Sequence, residues 1–104
     1  MDRDAYKQKA TIIKAMAHPS RLIIIDALAE GEKCVCELQR LVGSDLSTVS
    51  KHLSVMKSAG IVTDRKEGLQ VFYRLRVPCV LRFFECVDAV LRANSEEAVR
   101  AMRG

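Results

Sequence analysis

The sequence predicts a mostly helical single domain with one β-hairpin, in the element order ααααββα. Along most of the chain, apolar residues recur at spacings of three and four, which is the period of an amphipathic helix. The period changes once, in IVTDRKEGLQVFYRLRV (residues 61–77), where two strand-like runs flank a Lys-Glu-Gly turn. A chain of 104 residues has room for one compact domain, so residues 1–104 form one unit with its core at about 10–92.

A proline separates the first two predicted helices. Residues 4–17 carry apolar side chains at helical spacing and predict the first helix. His18 then precedes Pro19, and a residue before proline is disfavoured in the helical conformation. The second helix is therefore expected over Arg21–Ala29, with Ser20 as its N-cap.

The next two helices are short and are joined by a tight turn. A third helix is expected from about Cys34 to Val42, ending at Gly43. Asp45 is the predicted N-cap of a fourth helix that ends at Gly60. The apolar positions of this fourth helix are Leu46, Val49, Leu53 and Met56.

The strands are expected at Ile61–Arg65 and Gln70–Val77, and Pro78 then begins a last helix. This helix is apolar on most sides, through Val80, Leu81, Phe83, Phe84, Val87, Val90 and Leu91. Because so apolar a helix needs a partner to cover it, we expect a homodimer formed through the first and last helices. The tail at residues 94–104 is polar and is expected to be frayed.

Composition narrows the class of protein. The formal net charge of +4 and the pI of about 9.0 fit a polyanionic partner such as nucleic acid. The N-terminus, MDRDAYKQKA, lacks the apolar segment of a signal peptide, and no apolar run approaches the roughly 20 residues of a membrane span. We therefore expect a cytoplasmic protein with no membrane partner, in which the four cysteines are not structural disulfides.

Two short helices, a tight turn and a hairpin are typical of a winged helix-turn-helix, whose second helix enters the DNA major groove. The hydrogen-bonding and basic residues early in that helix are Ser47, Thr48, Ser50, Lys51 and His52. Near the tip of the hairpin, Arg65 and Lys66 are expected to contact phosphates. On an isolated helix such residues would indicate only a solvated face, and His52 can equally be packed. The combination with a basic hairpin favours double-stranded DNA.

Four blocks of the sequence, HPSRLIIIDAL, CVCEL, LSTVSKHLSVMKSAGIV and EGLQVFYRL, resemble the ArsR/SmtB family of winged-helix repressors. The resemblance covers about residues 10–92, and the blocks occur in the family's order. It implies a homodimer that represses an operon for metal or metalloid resistance and releases its operator DNA when an inducer binds. The nearest likeness is to the arsenical-resistance repressors.

The cysteines are candidate ligands, because thiolates select soft ions such as Zn(II), Cd(II), Pb(II), Cu(I) and trivalent arsenic or antimony. Within an ideal helix, Cys34 and Cys36 would point roughly 200° apart. At a helix start, with Gly31 just before, the backbone can unwind and bring them together, so the pair is a credible half-site. Their alternative role as core residues is the weaker interpretation.

A trivalent metalloid prefers three sulfurs, and the third candidates are Cys79 and Cys86 on the last helix. Seven residues place these two about 10 Å apart along an intact helix, so both cannot bind one ion. Cys79 follows Pro78 at the helix start, where the helix dipole favours a thiolate. Cys86 can instead be a small apolar core residue.

Departures from the family's patterns sharpen what the resemblance implies. In the arsenical repressors the cysteine motif on one helix resembles C-V-C-x-x-C. The last position of that motif is Gln39 in this sequence, so the one-helix set of three cysteines is incomplete. Cadmium and lead sensors add cysteines in an N-terminal extension, and none precedes Cys34. Zinc sensors use Asp and His on the last helix, where Asp88 occurs but no histidine follows His52. The implied inducer is As(III) or Sb(III), bound by Cys34, Cys36 and one last-helix cysteine, with no organic cofactor.

Other interpretations stay open at this point. A thiol-redox repressor of the same fold would respond to persulfide or peroxide, linking Cys34 or Cys36 to a last-helix cysteine. A Cd(II) or Pb(II) sensor is a further alternative. An enzyme is not expected, because the two histidines, at a helix break and on the DNA face, form no acid–base group with a cysteine. An architectural nucleic-acid-binding protein would leave the Cys-Val-Cys motif unexplained.

Overall fold

The computed structural model describes residues 1–104 as five helices and a three-stranded antiparallel sheet in the order ααβααββα. The helices are α1 (Arg3–Lys14), α2 (Pro19–Leu28), α3 (Val35–Val42), α4 (Leu46–Ser58) and α5 (Val80–Arg103). The strands are β1 (Lys33–Cys34), β2 (Val62–Glu67) and β3 (Gln70–Leu75). The winged helix-turn-helix is confirmed, with β1 as an additional element.

The break between α1 and α2 falls at the predicted proline, but the predicted cap is wrong. Helix α2 begins at Pro19, because proline is well suited to a first helical position, where its missing N–H would have no partner. The N-cap is therefore His18 rather than Ser20. The His18 backbone is extended, and its Nδ1 accepts a hydrogen bond from the Ser20 backbone N–H at 3.0 Å.

Helices α3 and α4 form the helix-turn-helix. Helix α3 ends at Gly43, whose φ of 78° is in the left-handed region that glycine adopts without a Cβ penalty. Asp45 is the N-cap of α4, as predicted.

The sheet has the strand order β1-β3-β2. Strands β2 and β3 form the predicted hairpin, with Val62 opposite Leu75 and Glu67 opposite Gln70. Strand β1 adds to the other edge of β3, where Cys34 pairs with Phe72. Cys34, predicted as the first residue of a helix, therefore belongs to a strand and to the N-cap of α3.

One core lies between α2, α3, α4 and the sheet. Its largest fully buried side chains are Ile24, Ile25, Leu38, Leu53, Met56, Ile61, Val49 and Val62. The predicted apolar positions of α4 enter this core except for Leu46, which is 53% exposed. The core thus fixes which face of α4 is buried and which is left free.

Helix α5 is one continuous helix to Arg103, so the expectation of a frayed tail at residues 94–104 is wrong. The tail contains Glu, Ala, Arg and Met, which have high helix propensity and let the helix continue. Only Val80 of this helix is buried. None of the helices combines the length and apolar character that crossing a membrane requires.

Candidate functional site

The exposed start of α4 is organised by its N-cap. Asp45 Oδ1 accepts hydrogen bonds from the Thr48 backbone N–H at 2.8 Å and from the Ser47 hydroxyl at 3.1 Å. These bonds, Thr48 first, hold the pKa of Asp45 below its usual value and keep the carboxylate ionised. Ser47, Thr48, Ser50 and Lys51 are all exposed, so the structure presents four of the five predicted α4 residues on one accessible surface.

His52, the fifth predicted α4 residue, does not belong to that surface. It is 9% exposed, and its Nδ1 accepts a hydrogen bond from Arg21 Nε at 3.0 Å. Its ring lies 4.4 Å from that of His18, between centroids. Its assignment as a DNA contact is wrong, because the helical period turns position 52 toward α2. Burial, followed by the charges of His18 and Arg21, lowers the pKa of His52.

The two basic residues of the β2–β3 hairpin, which we call the wing, have different surroundings. Arg65 pairs with Glu32 at 2.6 Å, also pairs with Glu67, and stacks over Phe72 with 4.7 Å between its Cζ and the ring centroid. These hydrogen bonds raise the pKa of Arg65 and lower that of Glu32. Lys66 is exposed and makes no ion pair. Of the two, Lys66 is therefore the cation free to meet a phosphate.

A further link between α4 and the wing was not predicted from the sequence. Lys57, near the end of α4, forms an ion pair with Asp64 of β2 at 3.0 Å. Seven residues separate the two, and only the return of the chain in β2 brings them together, so no local pattern would have found the pair. The ion pair ties the position of the wing to that of α4.

The structure brings Cys34 and Cys36 together. Cys34 has the extended backbone of an N-cap (φ −76°, ψ 159°), so the helical geometry that would separate the pair does not apply. The Cα atoms are 5.4 Å apart, and the two sulfurs are in disulfide contact. Cys34 is buried and Cys36 is exposed.

A cavity of about 420 Å³ connects this pair to the start of α4 and to the tip of the wing, and we call it the helix–wing cavity. It is lined by Cys34, Val35, Cys36, Gln39, Leu46, Ser50, Leu69, Gln70 and Val71. The cysteine pair, the first turns of α4 and the tip of the wing therefore share one space.

The last-helix cysteines lie apart from the pair. Cys79 is the N-cap of α5, and both Cys79 and Cys86 are exposed free thiols. Cys34 pairs with Phe72 of β3. Beyond Phe72 the strand continues for three more residues, of about 3.3 Å each, before it ends, and Cys79 follows later in the chain. In one chain, no group of three His, Cys, Asp or Glu side chains could hold a metal ion.

Comparison with known proteins identifies the family. Residues 18–64 match the sequence profile described as "Bacterial regulatory protein, arsR family". A relative from Agrobacterium fabrum, the "Biofilm growth-associated repressor", is 39% identical over 87 residues, which are 84% of this chain and 74% of the relative. The chain belongs to the arsR family. It is a DNA-binding transcriptional repressor of that family.

Other proteins of the arsR family are similar to this chain in sequence and in structure. The "Arsenical resistance operon repressor" of Staphylococcus xylosus is 38% identical over 71 residues, 68% of each chain. A homodimeric winged helix-turn-helix DNA-binding domain from Mycobacterium bovis has a TM-score of 0.77 and 37% identity, covering 93% of this chain and 92% of that one. The repressor BigR from Xylella fastidiosa has a TM-score of 0.66 and 31% identity, covering 84% and 96%.

Within this arsR-family chain, the shared fold makes α4 the DNA-reading helix and β2–β3 the wing.

Proposed function

We propose that the protein is a homodimeric operator-binding repressor that releases DNA when trivalent arsenic or antimony binds the thiolates of Cys34 and Cys36. The observation that carries this proposal is the convergence of the two sulfurs at the start of α3. Trivalent arsenic and antimony prefer soft thiolate ligands, and both ligands of this pair are thiolates. The related arsenical resistance repressor supports the same chemistry.

The dimer is proposed from the apolar surface of α1 and α5. A groove of about 290 Å³ lies between these helices and α2, and eight of its ten lining residues are apolar. Phe83, Val87 and Leu91 of α5 are exposed in the single chain. A second copy would cover this surface and would place two α4 helices for two half-sites about 34 Å apart, one turn of DNA.

A third thiolate from Cys79 or Cys86 would complete a three-sulfur site. Because neither forms such a group with Cys34 and Cys36 in one chain, it would have to come from the partner subunit or through a rearrangement of α5. A site that joins α3 to α5 would change the spacing of the two α4 helices. A coupling of about 1–3 kcal/mol would lower operator affinity about 5- to 150-fold.

Operator release, followed by fluorescence anisotropy under anaerobic, reducing conditions, tests this proposal. We expect As(III) and Sb(III) to release DNA from the wild type, with Cd(II) and Zn(II) weaker. Cys34→Ser and Cys36→Ser should abolish the response, and Cys79→Ser and Cys86→Ser identify any third ligand. The proposal is wrong if saturating As(III) and Sb(III) leave operator affinity unchanged.

A second candidate, favoured by the contact between the two sulfurs, is a redox switch at the same pair. The thiolate of the exposed Cys36 would attack peroxide and break its O–O bond, which gives a sulfenic acid and water. The Cys34 thiol would then attack the sulfenic sulfur, and a second water would leave as the disulfide forms. The two thiols lose two electrons and two protons, and peroxide is reduced. Cys79 and Cys86 are not needed for this chemistry.

Release by peroxide or a persulfide donor in the absence of arsenic, reversed by dithiothreitol, would support the redox switch. The Cys79→Ser/Cys86→Ser double variant is its matched control, because this reaction should be unchanged in that variant. A peroxide response that is lost in the double variant would instead place the switch between α3 and α5.

A further inference from the structure

A cavity of about 470 Å³ lies between the end of α1, the first turn of α2 and the second half of α4, and we call it the α1–α4 cavity. Its polar lining residues are two cations and three hydroxyl residues, namely Lys14, Arg21, Thr11, Ser54 and Ser58. The other lining residues are alanine or valine, so no carboxylate faces the two cations. Two positive charges therefore share a cavity that contains no counter-charge.

Arg21 is held in a fixed position by hydrogen bonds that leave most of its guanidinium free. Its Nε donates to His52 Nδ1 at 3.0 Å, and its Nη1 donates to the Ala15 backbone oxygen at 3.3 Å. A guanidinium has five N–H donors, so three remain. Arg21 is half-buried and forms no ion pair with a carboxylate. Such a preorganised guanidinium matches the geometry of phosphate oxygens.

The other free donors of the cavity come from α1 and α4. Lys14 is exposed and makes no ion pair. The hydroxyls of Ser54 and Ser58 have no hydrogen-bond partner in the chain. The Thr11 hydroxyl already donates to the Lys7 backbone oxygen at 3.0 Å. Three helices thus each supply at least one donor that lacks an acceptor.

The ends of two helices oppose an anion in this cavity, but the side-chain charges outweigh them. Helices α1 and α4 both end here, and the C-terminus of each carries about half a negative charge. The start of α2, where Arg21 lies, carries about half a positive charge. Together with the two side-chain cations, the helix ends leave a balance of about +1.5, so the cavity attracts an anion.

We propose that the α1–α4 cavity binds a phosphate group, with Lys14 and Arg21 supplying the positive charge and with hydrogen bonds from the hydroxyls of Ser54 and Ser58. A tetrahedral oxyanion suits donors that converge from three helices, because its oxygens accept hydrogen bonds from several directions. No cysteine belongs to the site, so it is independent of the proposed response to arsenic.

The position of the cavity allows two sources of the phosphate group. Four exposed residues of α4, at spacings of four, three and four, lie on one face of the helix: Ser47, Lys51, Ser54 and Ser58. A backbone phosphate of the operator beside this face can reach the cavity, and so can a free phosphate ion. The α1 residues of the apolar groove, Ile13, Met16 and Ala17, do not line the cavity, so a second copy seated on that groove leaves it open.

Inorganic phosphate is the probe for the site, followed by NMR on the reduced, isotope-labelled dimer. Phosphate replaces chloride at constant ionic strength, so that general screening does not change. We expect the amide signals of Ser54 and Ser58 to shift saturably. Lys14→Gln should weaken this binding about 2- to 5-fold, the range for one exposed ion pair. Ser58→Ala, which removes one hydroxyl donor, should weaken it as well.

Lys7→Gln is the matched control, because Lys7 lies on the same helix, two turns before Lys14, and does not line the cavity. Both lysines are exposed, so neither substitution removes a core contact. Lys7→Gln should leave phosphate binding unchanged. Equal effects of the two substitutions would show that phosphate is attracted to α1 in general and that the cavity is not its site.

Operator binding distinguishes the two sources. If the group is an operator phosphate, Lys14→Gln should reduce the slope of log affinity against log salt by about 0.9, and Lys7→Gln should not change it. If it is a free ion, the slope stays the same and phosphate still shifts Ser54 and Ser58 in the operator complex. The proposal is wrong if phosphate causes no saturable shift and Lys14→Gln changes the slope no more than Lys7→Gln does.

Discussion

Helices α4 and α5 are both amphipathic, yet α4 buries four of its 13 residues and α5 buries one of its 24. The difference follows from what surrounds each helix. Helix α4 packs against α2, α3 and the sheet, and its apolar side chains complete the core. Helix α5 continues beyond that core, and its apolar side chains have no cover in the single chain. Helices α2, α3 and α4 with the sheet are thus a packed unit, whereas α1 and α5 carry the exposed apolar surface that we propose as the dimer interface.

The largest expected effect comes from substitutions on the apolar face of α5 that should prevent dimer formation. Val87→Glu with Leu91→Glu puts two carboxylates on the apolar face of α5, and burying them in a dimer would be costly. Because a monomer contacts one half-site, operator affinity should fall about 10²- to 10⁴-fold. Sedimentation equilibrium should show monomers, and anisotropy gives the affinity.

Met102→Glu is the matched control for this double substitution, since Met102 lies near the end of the same helix and is 88% exposed. It should leave both the dimer and the affinity unchanged. A double variant that remains dimeric would show that the apolar face of α5 does not form the interface.

A substitution in the core between α2, α3, α4 and the sheet should instead lower the free energy of unfolding. Leu53 is fully buried in the core, and Leu53→Ala removes most of its side chain, so the free energy of unfolding should fall by about 2–5 kcal/mol. Urea denaturation at one fixed protein concentration measures this, because dimerisation makes apparent stability depend on concentration. Leu46→Ala, on the exposed face of α4, should cost far less, and equal losses would contradict the burial pattern.

The difference between α4 and α5 also explains which elements of the fold can be predicted from the sequence. Helix α4, its Asp45 cap and the hairpin follow from local signals, namely helical spacing, a capping residue and a change of period. Strand β1 has two residues and exists only through pairing with β3, more than 35 residues further along the chain, so no local pattern predicts it. The polarity of the α5 tail predicts fraying, but its residues favour a helix, and the helix continues to Arg103.

For the candidate site, the residue types could be predicted better than their surroundings. Ser47, Thr48, Ser50 and Lys51 lie on the exposed face of α4 as expected, although their contacts with DNA stay a prediction. His52 accepts its hydrogen bond from Arg21, 31 residues earlier, so no local pattern predicts that partner. The Cys34–Cys36 pair could be proposed from the sequence, but the cavity beside it depends on how α3, α4 and the wing pack.

A smaller effect should come from pH, through His52. Because the folded state lowers the pKa of His52, the unfolded chain takes up its proton first as pH falls below the usual value of about 6.5. Stability should therefore be complete above that pH and fall toward lower pH, by at most about 1.4 kcal/mol per pH unit for one group. Protonation also removes the Nδ1 acceptor for Arg21.

Urea denaturation between pH 5 and pH 8, on wild type and His52→Asn, isolates this contribution. The asparagine amide oxygen takes the place of Nδ1 as an acceptor for Arg21 but does not titrate, so the pH dependence should become flatter. His18 faces His52 and is present in both proteins, so the difference between the two profiles reports His52. Identical profiles would show that His52 does not titrate in this range.

The smallest effect is expected at the wing, where the structure distinguishes two neighbouring cations. Lys66 is unpaired, so if it contacts a phosphate, Lys66→Gln should weaken operator binding similarly for all sequences and reduce the slope of log affinity against log salt by about 0.9. Arg65 is held by Glu32 and Glu67. If those pairs persist on DNA, Arg65→Gln should change the slope less than Lys66→Gln does. An equal change would mean that Arg65 leaves its carboxylates for a phosphate, and that the wing rearranges when the protein binds its operator.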